Sequence, residues 1–515
     1  MFMNKIIKTI FFCFISVYSF GQNKYWVNFK DKDIQNYDYE KYLSAETIKN
    51  RKRFNLALYQ YSDVPVNLQY INTLNNSGIN IQSKSRWFNS VSVFLTQDQL
   101  KQVSEMPFVA SVEPVNRDII ITGSETNLKP ENYHIAMIQM QSSAMLAKNL
   151  TGEGVTIGVI DAGFLQANSD RYLVHLFEEE RIKGQRDFQD PSRKDIMSES
   201  ATDADSHGTT VLQMISGYYP QQKTQTGLAV NSNFYLARTE NGAREYRGEE
   251  DKWIEAIEWL DSLGVRLVNT SLGYAINMDD PKENYKPEEM NGKTTRISKA
   301  AQLAVADKGI FVVVSAGNEG SNPGWRIISS PADAEGVLSV GATRDRYWDK
   351  ISYSSIGPEF LNYMKPNVSC FSPNGTSFSA PAVAGFVACL MQMDPNKSNK
   401  ELKAIMEKSG HLYPYGNNFI GYGVPLASRA ITLMENPDFK LTHSDEKHVS
   451  GSKVQIKIDK NLNADVVLFH KKNETIVKYQ EIGTVHKGRL KIKRIPGIAR
   501  TTVAFGQEVL EIIWD

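Results

Sequence analysis

The chain of 515 residues is longer than one hydrophobic core usually organises, so about two to four domains are expected. Lysine and arginine together number 58, as do aspartate and glutamate, which gives a formal net charge of zero at pH 7. This balance provides no attraction toward nucleic acid or an acidic membrane, so we expect neither as a partner. Beyond Cys13 the only cysteines are Cys370 and Cys389. One disulfide between them is possible, but the fold does not rest on a disulfide framework.

Residues 1–21 have the three parts of a signal peptide. Lys5 and Lys8 precede a short apolar run at 10–18, and the segment ends in Ser-Phe-Gly, with small residues where a signal peptidase needs them. The apolar run is shorter than a membrane-spanning helix requires, and no later segment reaches that length. The segment therefore predicts export to the cell surface or the medium, with no transmembrane segment after cleavage. An uncleaved anchor is the alternative.

Residues 22–125 follow the order βαββαβ. Strands are predicted at 25–29, 78–83, 90–95 and 109–112, and helices at 66–74 and 97–105. Turn and capping residues such as Asn76-Ser77-Gly78 separate them. This order indicates a ferredoxin-like α+β unit. An unrelated small α+β domain is the alternative.

Residues 126–435 alternate apolar strands with helices. Strands are predicted at 155–160, 233–237, 266–270, 310–315 and 337–341, and helices at 252–260, 297–308 and 376–391. Near-continuous apolar runs are typical of parallel strands that are covered on both faces. The alternation therefore predicts an α/β fold with a mostly parallel sheet and helices on both faces.

Three polar residues lie at the ends of these apolar segments. Asp161 ends the first strand, in the sequence VTIGVIDAG, although a turn aspartate is the plainer interpretation. His207 begins an apolar helix, in DSHGTT; a lone histidine is more often an ordinary surface or core residue. Asn318 follows a strand, in SAGNEG, and offers an uncharged NH₂ donor, with a turn asparagine as its plainer interpretation.

The sequence GTSFSAP at 375–381 places Ser377 just before a long apolar helix. The N–H groups and dipole at a helix N-terminus favour negative charge. Gly375 permits a sharp bend, and Pro381 is tolerated in a first helical turn. This arrangement suits a nucleophile whose product is an oxyanion. An ordinary helix cap formed by Thr376 or Ser377 is the alternative.

From residue 436 onward the pattern changes to short, alternating strands. They are predicted at 453–458, 464–470, 475–482, 489–495, 501–505 and 509–514, with turn residues between them. Residues 436–515 therefore indicate a small all-β domain, a sandwich in the simplest arrangement. No sorting signature is evident in it, so its role is left open.

Asp161, His207, Asn318 and Ser377 together are the groups that acyl transfer requires. A serine needs a base within hydrogen-bond reach, and His207 could take its proton and return it to the leaving amine. Asp161 would hold the imidazole in the right tautomer, and Asn318 would donate to the oxyanion. This chemistry requires no cofactor.

The four segments, in the chain order Asp, His, Ser, resemble the subtilisin-like serine proteases (subtilases). The resemblance runs from about residue 151 to 430 and ends in the family-like GYGVP at 421–425. It implies a subtilisin-like sheet and a serine endopeptidase that cleaves protein or peptide substrates. The sequence RTE at 238–240, followed by EEDKW at 249–253, is similar to a bacterial secreted subgroup of these enzymes.

The resemblance also implies roles for other segments. By this resemblance, the substrate pocket would be lined by Ser271, Leu272, Gly273, Ala316 and Gly317. Arg244-Glu245-Tyr246 would flank the same groove. Residues 22–125 would form an inhibitory propeptide, a partner of the enzyme until the enzyme cuts its own chain between residues 116 and 132.

Two other classes of function lack support in the sequence. A binding protein on a subtilase scaffold would lack a member of the triad, and none is missing. A metal hydrolase would need ligand-spaced His and Glu residues, and no His-Glu-x-x-His occurs. The polar stretch at 275–296 could be a lid of the groove or, more simply, a solvated loop. Asp279 and Asp280 within it match no calcium-loop spacing, so no metal site is assigned and structural calcium is left open.

Overall fold

The N-terminal part of the chain is an antiparallel sheet with helices on one face. The computed structural model describes residues 22–115, 120–121, 134–198, 203–240, 249–276, 284–436, 438–440, 444–458 and 465–515. The predicted signal peptide and most of the predicted cleavage stretch lie outside these ranges. The N-terminal strands are β1 (Asn23–Phe29), β2 (Ile81–Ser85), β3 (Ser90–Leu95) and β4 (Val109–Pro114), and the helices are α1 (Tyr39–Tyr42), α2 (Ala45–Arg53), α3 (Leu68–Asn76) and α4 (Gln97–Ser104).

The strand order β2–β3–β1–β4, with antiparallel pairing throughout, is the ferredoxin-like order, so this prediction is confirmed. The sheet core contains Val27, Val91 and Leu74 from β1, β3 and α3. The segment α1–α2 was not predicted, because its residues are mostly polar and show no clear apolar period. It is inserted between β1 and α3.

A seven-stranded parallel sheet forms the centre of the described chain. Its order is β15–β14–β13–β11–β6–β10–β7, and every pair of neighbours is parallel. The predicted α/β class is therefore confirmed. The elements from residue 120 to 436 are β5 (Ile120–Ile121), α5 (His134–Gln139), α6 (Ser143–Leu146), β6 (Thr156–Asp161), α7 (Val174–Glu178), β7 (Ile182–Asp187), α8 (His207–Ser216), β8 (Tyr218–Tyr219), β9 (Thr224–Gln225), β10 (Asn233–Arg238), α9 (Glu250–Ser262), β11 (Leu267–Thr270), β12 (Leu272–Gly273), α10 (Arg296–Ala306), β13 (Phe311–Ser315), β14 (Leu338–Thr343), β15 (Val368–Phe371), α11 (Ser379–Met393), α12 (Asn399–Ser409) and α13 (Ala427–Glu435).

Helices cover both faces of this sheet. On one face, α8 and α11 share a core with Val159 of β6 and Val313 of β13. On the other face, α9 and α10 pack against Ile160 and Val314, which alternate with the first pair along the same strands. Burial on both faces explains why these strands are apolar at nearly every position. The N-terminal sheet lies beyond α9, and its Trp26 joins the second core.

The C-terminal part consists of two sheets that share one apolar core. A five-stranded sheet has the order β16–β23–β22–β18–β19, and a three-stranded sheet has the order β17–β21–β20. Val454, Leu468 and Ile512 are among the buried residues between them. The all-β prediction is confirmed. The strands are β16 (Ser444–Val449), β17 (Lys453–Lys457), β18 (Val466–Lys471), β19 (Val477–Gly483), β20 (Val485–His486), β21 (Arg489–Lys493), β22 (Arg500–Phe505) and β23 (Glu508–Trp514).

A second apolar cluster joins this β unit to the rest of the chain. Phe419 packs with Phe469 and Val477 there. The side chain of Asn418 donates to the carbonyl of Gly357 at 3.1 Å and accepts from the N–H of Val477 at 2.9 Å. The C-terminal unit is therefore docked through buried contacts. The domain boundaries given above stay predictions.

Cys370 and Cys389 are both buried free thiols, so the disulfide considered above is not formed. Burial raises the pKa of Cys389 to about 12, which keeps it protonated and unreactive. Among the described residues, no helix is long and apolar enough to cross a membrane.

Buried charges of alternating sign cross the boundary between the N-terminal sheet and the central unit. Lys308 lies 2.8 Å from Asp63, Asp63 lies 2.7 Å from Arg51, and Arg51 lies 3.1 Å from Asp261. Arg86 then reaches Asp261 at 2.7 Å. We call these five residues the ion ladder. Burial would raise the pKa of Asp63, but the bonds from Arg51 and Lys308 outweigh burial and hold that pKa at about 2. Because this pKa is depressed, the stabilisation from Asp63 is complete above its ordinary value of 3.8 and is lost as the pH falls through about 2.

Removing the central cation of the ion ladder is expected to destabilise the unprocessed chain strongly. Arg51→Met leaves the carboxylates of Asp63 and Asp261 buried without their shared cation, at a cost of about 3–5 kcal/mol. Urea unfolding in a Ser377→Ala background, which prevents the expected self-cleavage, measures this loss. Lys49→Met is the control, because Lys49 lies on the same helix with its side chain 60% exposed; its change should stay within about 0.5 kcal/mol. Equal effects of the two variants would contradict a stabilising role for the ion ladder.

Candidate active site

Asp161 and His207 form a buried pair at the carboxyl edge of the central sheet. Asp161 is the last residue of β6, the strand at which the chain order across the sheet reverses, and His207 is the first residue of α8. The Nδ1–H of His207 donates to Asp161 Oδ1 at 2.6 Å, and the same oxygen accepts from the N–H of Ala162 at 2.8 Å. The histidine is 1% exposed and the aspartate is fully buried. The carboxylate thereby orients the ring, and Nε2 is the nitrogen that can exchange a proton with a nucleophile.

Tight packing holds the two elements that carry this pair together. A methyl group on Gly208, next to His207, would lie 2.3 Å from the carbonyl oxygen of Gly163 and 3.0 Å from Cβ of Asp161. Only a glycine allows α8 to approach the end of β6 so closely. The position of the imidazole therefore depends on this contact as well as on the bond to Asp161.

Ser377 lies in the short connection between β15 and α11. Helix α11 begins at Ser379, two residues later, and not at residue 376 as predicted. Gly375 has a φ of +107°, which a residue with a side chain rarely adopts, so the predicted sharp bend is present. The ring of Phe378, the next residue after Ser377, lies 5.4 Å from the imidazole of His207 between ring centroids. This contact brings the histidine and the serine segment together.

Reciprocal hydrogen bonds join Ser377 to the end of β11. The hydroxyl of Ser377 donates to the carbonyl of Ser271 at 3.2 Å, and the hydroxyl of Ser271 donates to the carbonyl of Ser377 at 2.8 Å. Asn269, in β11 itself, donates from its amide to the hydroxyl of Ser271 at 3.3 Å. The serine segment is thus anchored to the middle of the sheet.

Asn318 is anchored to Thr376, the residue before Ser377. Its Oδ1 accepts from the N–H of Thr376 at 2.8 Å and from the hydroxyl of Thr376 at 3.1 Å. That hydroxyl also accepts from the N–H of Gly317 at 3.0 Å. Since the amide oxygen is bound in this way, the NH₂ group is the end that can donate to a substrate. The sequence pattern predicts only a helix-cap role for Thr376, and its position directly before Ser377 is the signal that points to the contact with Asn318.

The predicted pocket residues all lie in two connections at the same edge of the sheet. Leu272 and Gly273 form β12, which pairs antiparallel with β5: Leu272 is opposite Ile121, and Gly273 is opposite Ile120. Ser271 lies directly before β12, and Ala316 and Gly317 lie directly after β13. All five predicted pocket residues are buried. Strand β5, from the N-terminal region of the chain, therefore pairs with the segment that is predicted to line the substrate pocket.

The remaining predicted features have different outcomes. Arg244-Glu245-Tyr246 and the pair Asp279 and Asp280 lie outside the described residues. Within the described part of the chain, no group of three or more His, Cys, Asp or Glu side chains is arranged to hold a metal ion. Glu240, from the RTE sequence, is buried and accepts hydrogen bonds from Thr239 at 2.7 Å and Tyr274 at 3.2 Å. Burial, assisted by the charge of Asp161, raises the pKa of Glu240 to about 7.

An aspartate, a histidine and a serine brought together in this way recur in serine proteases of several unrelated folds. A model of the subtilase family matches residues 152–423, just over half of the chain. A second model, of the peptidase S8 propeptide domain of Bacteroidota, matches residues 24–130. The chain therefore belongs to the subtilase family and is a serine endopeptidase with an N-terminal propeptide.

Individual relatives agree with this assignment. Subtilisin NAT from Bacillus subtilis subsp. natto is 26% identical over 363 residues, which cover 67% of this chain and 83% of that protein. Subtilisin DY from Bacillus licheniformis is 28% identical over 302 residues, which cover 56% of this chain and 96% of that protein. Among solved structures, the epidermin leader peptide processing serine protease from Staphylococcus aureus matches with a TM-score of 0.55 and 13% identity. That match covers 80% of this chain and 100% of the other, and it shows a likeness of fold alone.

A side chain at position 208 is expected to disturb the Asp161–His207 pair. Gly208→Ala forces the start of α8 away from the end of β6, and overpacking of this kind costs about 1–3 kcal/mol. We expect a lower midpoint of thermal unfolding together with a loss of peptidase activity. Gly324→Ala is the matched control, because a methyl group there meets only Asn322, at an ordinary 3.4 Å. Full activity in Gly208→Ala would contradict the proposed dependence on this contact.

Proposed function

We propose that this chain is an exported endopeptidase that cleaves peptide bonds with Ser377 as nucleophile, His207 as general base and acid, and Asp161 as the orienting carboxylate. The observation that carries the proposal is the 2.6 Å bond between His207 and Asp161, in a buried pair whose imidazole lies against Phe378, next to Ser377. Burial strengthens this bond because little water competes for its atoms. The signal peptide predicted at residues 1–21 supports export.

The first half of the reaction forms an acyl-enzyme. His207 Nε2 takes the proton of the Ser377 hydroxyl while Oγ attacks the carbonyl carbon of the substrate. The resulting imidazolium is stabilised by the carboxylate of Asp161. As the tetrahedral intermediate collapses, the imidazolium gives its proton to the leaving amine and the peptide bond breaks. A water molecule, activated by the same imidazole, then hydrolyses the ester and restores Ser377.

Two hydrogen-bond donors would stabilise the negative charge on the tetrahedral intermediate. The NH₂ group of Asn318 would bind the oxyanion, helped by a backbone N–H at Ser377 near the N-terminus of α11. The bonds from Thr376 to Asn318 Oδ1 support this role, because they prevent the amide from rotating before the substrate arrives. Such preorganised donors require no cofactor to stabilise the charge.

The substrate is proposed to bind as an added strand. Strand β12 already pairs with Ile120–Ile121, which shows that its backbone groups can accept an extended segment. Main-chain bonds of this kind give affinity without dependence on sequence, and the pocket proposed at Ser271, Ala316 and Gly317 would add side-chain preference. Protein substrates would therefore be cut in unfolded or loop-like segments.

The same strand pairing supports self-processing. Strand β5 pairs with β12, which directly follows Ser271, and Ser271 is hydrogen-bonded to Ser377, so the N-terminal region is attached to the same segment as the nucleophile. We propose that the enzyme cuts its own propeptide there, within the predicted stretch 116–132. The propeptide would then leave after its ionic contacts with the central unit break.

Loss of the Ser377 hydroxyl is expected to abolish activity. A fluorophosphonate reagent should label the wild-type enzyme at Ser377, and Ser377→Ala should neither label nor hydrolyse casein. Ser379→Ala is the control, because this serine is two residues away in α11 and should still permit labelling. Normal labelling and casein cleavage by Ser377→Ala would remove the proposed nucleophile and favour a different function for the scaffold.

Asn318 is expected to act on the transition state alone. Asn318→Ala should lower kcat by about 10²–10³-fold with little change in KM, the magnitude established for such a donor in a subtilisin. Steady-state kinetics on a chromogenic peptide measure both constants. Thr376→Val, which keeps Asn318 but removes the hydroxyl bonded to it, should give a smaller fall in kcat. A raised KM with unchanged kcat in Asn318→Ala would assign this residue to ground-state binding.

Processing is expected to depend on Ser377. The wild-type chain should separate into two species, the larger starting between residues 116 and 132, whereas Ser377→Ala should keep the precursor length. N-terminal sequencing of both proteins from a host without other proteases measures the start. Identical processing of the two chains would show that another enzyme makes the cut.

A further inference from the structure

Arg238 is a buried cation directly beside the Asp161–His207 pair. It is the last residue of β10 and lies opposite Asp161 of β6 in the parallel register. Its side chain is only 10% exposed. A charge buried to this degree requires partners of opposite charge, and Arg238 has two, the carboxylates of Asp187 and Asp205.

The guanidinium of Arg238 connects two segments of the chain. Its Nε–H donates to Asp205 Oδ1 at 2.9 Å, and its Nη1 donates to the two carboxylate oxygens of Asp187 at 3.2 and 3.0 Å. Asp187 is the last residue of β7, the neighbouring edge strand. The planar guanidinium can satisfy both carboxylates at once, which a lysine could not do in the same geometry.

Asp205 is the partner that leads to the site. It lies two residues before His207, in the 3₁₀ turn Asp203–Ser206 that runs directly into α8. Its carbonyl accepts from the N–H of Leu165 at 2.8 Å, and a methyl group on Gly163 would lie 2.6 Å from its Cα. The turn before His207 is therefore held from the side of β6 by packing and from the side of β10 by Arg238.

We propose that Arg238 is a positioning residue for His207, which sets the position of the imidazole through Asp205 and balances the charge of the carboxylates around it. This inference rests on the catalytic role proposed for His207. It assigns a task to the RTE sequence, which the acyl-transfer chemistry itself does not use. It also explains why β10 ends in an arginine at the same level of the sheet at which β6 ends in an aspartate.

The charges around the histidine make the proposal measurable. Asp161 contacts the imidazole, Asp205 and Asp187 contact Arg238, Arg193 lies 3.8 Å from Asp187, and Glu240 is close enough to interact with Asp161. Without Arg238, two of these carboxylates would lose their main cation and would favour the protonated imidazole. Neutralising Asp205 alone would have the opposite effect, because one negative charge near the ring would disappear.

The experiment compares Arg238→Gln, Asp205→Asn and Arg238→Lys in the processed enzyme, with kcat/KM for a peptide substrate measured across pH. Arg238→Gln should lower kcat by about 10–100-fold with little change in KM, because the imidazole is displaced. The acidic limb of the kcat/KM–pH profile of Arg238→Gln should move to higher pH, by about half a unit or more. Asp205→Asn keeps the oxygen that Arg238 Nε contacts, so it should retain most of kcat while its acidic limb moves to lower pH. Arg238→Lys should restore the position of the limb but only part of kcat.

Arg186→Gln is the control, since Arg186 lies on β7 with its side chain 42% exposed and contacts Glu255; its acidic limb should stay in place. If Arg238→Gln does not fold, the direction in which the acidic limb of Asp205→Asn moves tests the proposal instead. The proposal is overturned if the acidic limb stays in place in both Arg238→Gln and Asp205→Asn and only the midpoint of unfolding falls. Arg238 would then have a purely structural role. A failure of the proposed function is separate, because it would appear as activity that persists in Ser377→Ala.

Discussion

The parallel pairing of β6 with β10 and β11 is the constraint on which the site depends. Parallel strands end at the same edge, so Asp161, Arg238 and Ser271 are brought to one level although they are far apart in sequence. Helices α8 and α11 begin at this edge, so His207, the first residue of α8, and Ser377, two residues before α11, lie there as well. A shift in the register of β6 would move the carboxylate away from the imidazole and from the cation beside it.

Burial gives this site its precision and requires that its polar groups be bonded. The hydroxyl of Ser271 and the carboxylate of Asp161 are buried and the amide of Asn318 is half-buried, and each is held by a donor or acceptor of the chain. Fixed dipoles of this kind need no reorganisation when charge develops in a transition state. The cost of burying polar groups and the rigidity of the site therefore have the same origin.

The contact with the N-terminal unit uses a different principle. Instead of an apolar surface alone, it has the buried charges of the ion ladder, which alternate in sign, and a separate buried pair of Lys24 and Asp251, 2.8 Å apart. An apolar surface can pack against many partners, whereas a buried charge is stable only against a partner that supplies the opposite charge. Such an interface is specific in the precursor. Its re-formation is unfavourable once the charge pairs have separated, as a detachable propeptide requires.

Local patterns in the sequence predicted five of the seven strands of the central sheet and pointed to the candidate residues, because apolar period, turn chemistry and helix starts are properties of neighbouring residues. Strand β3 and the start of α8 at His207 were predicted to the residue. Strand β7 was not predicted, because as an edge strand it is half exposed and carries polar residues. The tertiary structure alone decided the anchoring of Ser377 to Ser271, 106 residues away, and of Arg238 to Asp205, 33 residues away. Such bonds depend on the geometry in which strands and connections meet, and no local pattern in the sequence carries that geometry.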